Sequence, residues 1–249
     1  MSIAEKFETI ADAVYEKGEL IGYENGRNEG LEEGYASGVI EGKEAEWRAF
    51  WETYQNKGNN TNYAYAFYGS TWTDALYKPL KQINGVDITF KVYNTCNGMY
   101  QGTYITDTLI PIDISGDNVG TSTTYMFYSA TRLKKINKLI VKESNVFTSG
   151  FGYCKALTDI EFEGTIGRSI SFADCPLAVK SMKSIITHLN KYDAKSYTLT
   201  VQSTSFANLE TAGFTDDDKA LLNGKGIAVT DESTWAAVVD DLNWNLVLA

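Results

Sequence analysis

The chain has 249 residues, 43% hydrophobic and 22% charged, with a formal net charge of −10, which is enough length for one or two domains with a sizeable core. The acidic balance argues against nucleic acid and against an anionic membrane surface, since both demand clustered Lys and Arg. The three cysteines, Cys96, Cys154 and Cys175, form no CxxC pair, so neither a disulfide framework nor a zinc site is expected.

The N-terminus, MSIAEKFETIADAVYEKG, lacks a basic region followed by an apolar run, and no stretch reaches transmembrane length, so synthesis and folding in a cytoplasm without membrane insertion are expected. Ile3, Phe7, Ile10 and Val14 fit a heptad seam. That seam runs into seven glycines spaced by four: Gly18, Gly22, Gly26, Gly30, Gly34, Gly38 and Gly42. Seven helical glycines cost roughly 5–7 kcal/mol relative to alanine. Close packing along the bare Gly-x-x-x-Gly face would offset that cost. A flexible acidic linker is the competing reading, but flexibility needs no register. The spacing therefore predicts an oligomerising helical stalk over 1–57, with copies of the same chain as partners and a trimer as the guess. Trp47, Phe50, Trp51 and Tyr54 continue a helical stripe to Gly58, which sits where a helix C′ residue belongs.

Residues 58–92 are rich in aromatics and read as a junction, packing the end of the stalk against the next domain. From about residue 80, short apolar strands alternate with Gly, Asn, Ser and Thr. Self-comparison aligns 126–141 with 150–165 at an offset of 24, matching Phe127 with Phe151, Ala130 with Cys154, Leu133 with Leu157 and Ile136 with Ile160. A third copy begins at Phe172 and Cys175, and an earlier degenerate one is read at VYNTCNGMY, 92–100. Such a unit closes a core only when stacked. The expected fold is therefore α+β: a long Gly-repeat helix, a short repeat solenoid over 93–178, and an α/β cap over 179–249. Within the cap, 178–192 reads as an amphipathic helix with Met182, Ile185, Ile186 and Leu189 inward. Thr215 and Asp218 form a capping box ahead of a short helix, and Ile227–Val229 reads as a strand.

Catalytic chemistry finds little purchase. The only histidine, His188, lies in the expected helix, so no Ser-His-Asp or Cys-His arrangement has support. Asp107, Asp113 and Asp117 are close in sequence, but solvated loop carboxylates are the simpler reading, and DISGDNVG lacks the EF-hand ligand spacing. Neither a metal nor a cofactor is expected. Tyr100, Tyr104, Tyr125, Tyr128 and Tyr153 are the candidate contact residues, although any of them is equally compatible with a core position.

The unit F-x-x-C/A-x-x-L-x-x-I resembles the BspA-type leucine-rich repeat over roughly a third of the chain. The departures are Ala130 in a Cys position and a residue missing between Cys175 and Leu177. The wider order of Gly-x-x-x stalk, FWETYQNKGNNTNYAYAF junction, repeats and FTDDDKALLNGKG ending is similar to phage and prophage proteins of gut-type Gram-positive bacteria. That resemblance implies a non-enzymatic virion component, assembled in the host cytoplasm beside other tail proteins, that presents a repeat head to a bacterial surface glycan or protein. A purely structural tail or baseplate part and a BspA-like surface adhesin are the alternatives.

Overall fold

In a computed structural model, the described residues are Ala49, Ala64, 66–70, 72–74, 77, 79, 81–83, 86–92, 95–116 and 123–249. The predicted stalk, with its seven glycines and the seam Ile3, Phe7, Ile10 and Val14, lies outside the described residues, as does the Trp47–Tyr54 stripe apart from Ala49.

The described part is a mixed α/β structure built on parallel strands. After a short antiparallel pair, β1 (Gln82–Ile83) and β2 (Val86–Asp87), come β3 (Phe90–Lys91), β4 (Ile112–Asp113), β5 (Lys135–Val141) and β6 (Asp159–Gly164), which form one parallel sheet in chain order. Parallel neighbours need a crossover between them. Here the described parts of the crossovers include turn segments, and those segments are themselves in parallel register. The N–H groups of Phe67 and Gly69 donate to the carbonyls of Met99 and Gln101. Those of Tyr100 and Gly102 donate to Met126 and Tyr128, and those of Phe127 and Ser129 to Gly150 and Gly152.

This double ladder explains the sequence period. In each of four turns the aromatic carbonyl accepts the N–H three residues on: Thr103 to Tyr100, Ala130 to Phe127, Cys154 to Phe151 and Cys175 to Phe172. Stacking at the strand spacing of roughly 4.8 Å sets the aromatic rings one above another. Centroids lie 4.9 Å apart for Phe67–Tyr100, 5.2 Å for Tyr100–Phe127, 5.6 Å for Phe127–Phe151 and 4.5 Å for Phe151–Phe172. Each such contact adds about 0.5–1.5 kcal/mol beyond area burial. The cysteine position has its own use. The thiol of Cys154 donates to the Phe127 carbonyl at 3.0 Å, and that of Cys175 donates to the Phe151 carbonyl at 3.5 Å.

The early turn differs from its expected form. The aromatic rung there is Tyr100, followed by Thr103, while Cys96 occupies the place of Thr123 and Phe147 in later turns, as the bonds Met99 to Cys96, Met126 to Thr123 and Gly150 to Phe147 show. The sequence pattern aligns this turn on its cysteine, whereas the backbone aligns it on its aromatic ring. The column also reaches Phe67, within the segment expected to be a junction.

The parallel sheet stops at β6 because α1 (Val179–His188) lies along its free edge. The backbone N–H groups of Ile160 and Phe162 donate to the hydroxyls of Ser181 and Ser184, each at 2.8 Å. Serines on the helix thus do what the next strand would do for an exposed edge. Met182, Ile185, Ile186 and Leu189 are fully buried, as their spacing predicts.

A second parallel sheet follows, β7 (Ile170–Phe172), β8 (Tyr197–Val201) and β9 (Trp244–Leu248), interleaved with α2 (Ser203–Ala212), α3 (Asp216–Gly224) and α4 (Trp235–Asp241). The Thr215–Asp218 capping box is formed in both directions. Ile227–Val229 is not a strand: the Ile227 N–H is taken by the Leu222 carbonyl at the end of α3, and its side chain is buried as coil.

Candidate functional site

A turn of this kind bends by placing residues two before and two after the aromatic rung in the left-handed region. Glycine meets that need at Gly98 (φ 59°) and Gly102 (φ 68°), flanking Tyr100. In the next two turns the same positions hold Tyr125 (φ 57°) and Ser129 (φ 59°), then Ser149 (φ 50°) and Tyr153 (φ 59°). A bulky side chain in this region costs on the order of 1–3 kcal/mol. Two tyrosines therefore stand where glycine is the easy choice.

Both are on the surface, Tyr125 41% and Tyr153 49% exposed. Tyr128, half-buried, lies between them: its ring meets Tyr125 edge-on at 5.2 Å and Tyr153 edge-on at 5.4 Å. The Tyr128 ring also covers Gly152, where an added Cβ would come within 3.1 Å of it. The three rings make a continuous row across two stacked turns. The backbone beneath Tyr153 is held by its N–H to the Asp174 carboxylate at 2.8 Å.

Of the other candidates, Tyr104 is 36% exposed and lies under the Arg132 guanidinium at 4.4 Å. Tyr100 is not a contact residue. It is fully buried as the second rung of the column, with its hydroxyl 2.9 Å from that of Tyr77, which in turn donates to the Thr108 carbonyl at 3.0 Å. Its position at the rung, rather than beside it, turns the ring inward. Burial pushes the Tyr77 phenol far above its usual value, so that hydroxyl stays neutral.

The described residues considered for chemistry are each tied down. Asp107 accepts from the Leu109 N–H at 2.7 Å and faces Lys135 at 3.9 Å. Asp113 accepts from the Ser115 N–H and hydroxyl and faces Lys91 at 4.0 Å. Asp117 is outside the described residues. His188 places Nδ1 2.7 Å from the Ser184 carbonyl, a bond within its own helix. Burial pushes the Cys96 thiol up to about 12, and the contact with Cys154, reinforced by burial, raises that of Cys175 well above its usual value. These two thiols stay protonated and weakly nucleophilic at neutral pH. Among the described residues no group of His, Cys, Asp or Glu is arranged to hold a metal ion, and no helix is long and apolar enough to cross a membrane.

The tyrosine row is only half legible in the sequence. Tyr125, Tyr128 and Tyr153 are candidates by residue type, but their left-handed backbone and edge-to-edge contact need the stacked register. Comparison with family models, curated proteins and solved structures found no match for the chain.

Proposed function

We propose that the chain is a non-enzymatic attachment component of a phage or prophage tail, in which a short BspA-like leucine-rich-repeat solenoid is carried on the N-terminal Gly-x-x-x stalk. The observation that carries this reading is the row Tyr125–Tyr128–Tyr153. Three rings form a shallow exposed surface, two of them at positions whose backbone geometry disfavours any side chain. Strain kept on a surface that packing does not require is the mark of a contact residue. Tyrosine rings offer an apolar face with a polar edge, which suits a sugar ring or a protein loop of a bacterial envelope. The resemblance of the repeat unit and of the stalk–junction–repeat order supports the virion assignment.

The stalk makes the head multivalent in this reading, and linked heads gain avidity without any new contact. Light scattering on the full chain should give the mass of a homo-oligomer, with a trimer as the first expectation; a single-chain mass would remove the stalk from the proposal. Cosedimentation of the full chain with gut-type Gram-positive cells tests attachment. Saturable binding is expected, and a chain that binds no such cells is a structural tail or baseplate part instead.

A further inference from the structure

A groove of about 380 Å³ lies where the third turn, 146–149, meets β7 and β8. Its one charged lining residue is Arg168. The guanidinium donates to the Gly167 carbonyl at 3.1 Å and to the Tyr197 hydroxyl, and lies 5.1 Å from the centre of the Tyr197 ring. Both hydrogen-bond partners are neutral, and among the described residues Arg168 forms no ion pair with a carboxylate. The guanidinium is thus held by its contacts with Gly167 and Tyr197. It also faces a cavity.

The remaining lining divides in two. Thr148, Ser149, Ser171, Thr198 and Thr200 bring hydroxyls, while Val146, Phe147 and Ile170 bring apolar wall. Pre-positioned Arg recognises a carboxylate or phosphate through paired N–H groups, hydroxyls match the edges of a sugar, and the apolar wall matches its C–H face. Both the volume and the mixture fit a small polar ligand. The protein's negative field disfavours a polyanion, so the complement is a hexose-sized unit with a single acidic group.

We propose that this groove is a binding site for an acidic sugar, held by Arg168 at its carboxylate or phosphate. The site rests on the attachment reading and deepens it by naming a ligand class, but it uses none of the tyrosines of the row. It is connected to the row through the ladder, since the Tyr125 N–H donates to the Thr148 carbonyl at 3.1 Å.

The test titrates the full chain with glucuronate, glucose 6-phosphate and neutral glucose, following fluorescence and side-chain shifts. Trp244 reports because its ring is 5.8 Å from that of Tyr197. Glucuronate or glucose 6-phosphate should saturate in roughly the millimolar range, at least tenfold tighter than glucose, a gap of the size one charged hydrogen-bonded contact supplies. The tighter of the two acids identifies carboxylate or phosphate as the group recognised. Arg168→Met should erase the tenfold preference. Ser171→Glu, at an exposed strand position, should do the same by placing a carboxylate in the groove that Arg168 lines. Equal binding of glucose and both acids, no binding of any of the three, or a preference untouched by both variants would overturn the proposal. Loss of cell binding in tyrosine variants that keep the acid preference separates this site from the attachment row.

Discussion

Tyr125 and Tyr153 show how much one backbone angle can say about a residue. Each has φ near +60° and each is more than two-fifths exposed, so turn geometry opposes a large ring there and core packing does not require one. Gly164 is the opposite case. Its φ of +92° and the Val141 carbonyl, 2.0 Å from where a Cβ would stand, leave space for no side chain. Gly164→Ala should lower stability by about 3 kcal/mol, read as a fall in the denaturation midpoint at unchanged slope. A midpoint equal to that of the parent would mean that the end of β6 is free to move. Neither feature is visible in the sequence: glycine and tyrosine carry no record of their own φ, and the neighbour that decides Gly164 is 23 positions away, on the adjacent strand.

Among the elements, legibility depends on how local the determining signal is. Helix α1 is readable because its four inward residues repeat at helical spacing, and α3 because its capping box is two residues within one turn. Helix α2, STSFANLETA, escapes a sequence reading: it buries only Ser205, Phe206 and Leu209 and has no side-chain cap, so tertiary packing rather than pattern holds it. Asp218 joins local and distant effects. Burial alone would raise its carboxyl, but the Lys183 ammonium at 2.5 Å and the Thr215 backbone and hydroxyl bonds together hold it below the ordinary value of 3.8. The unfolded chain therefore takes up the proton first as pH falls. The contribution of Asp218 is complete above the ordinary value and drains as pH drops through the lower, folded one. Asp218→Asn should cost about 1–3 kcal/mol at pH 7, with the gap between variant and parent melting temperatures closing as the pH is lowered through the folded value. A gap constant with pH would assign the effect to packing alone.

At the scale of the molecule, one recurring turn organises the stacked part of the described residues, with its aromatic ring spaced unevenly along the chain. The 24-residue offset is legible because the same side chains recur, and the structure turns that recurrence into a column of stacked rings flanked by parallel ladders. The same offset hides the earlier turns, where Tyr100 and Phe67 keep the ring but lose the cysteine. Similarly hidden is the Arg168 groove, whose facing residues Arg168 and Tyr197 come together across 29 positions. A stack of turns brings neighbouring turn edges together, so a contact surface arises where rings at different positions of two adjacent turns meet. Here they do so at Tyr125, Tyr128 and Tyr153.

The most direct test of that account is cosedimentation of the full chain with gut-type Gram-positive cells, comparing the parent with Tyr125→Gly/Tyr153→Gly. Glycine suits the left-handed backbone, and the strain relieved roughly offsets the lost ring contacts, so stability should stay within about 1 kcal/mol of the parent. The account predicts a correctly folded double variant whose cell binding falls at least tenfold; binding equal to the parent's would contradict it.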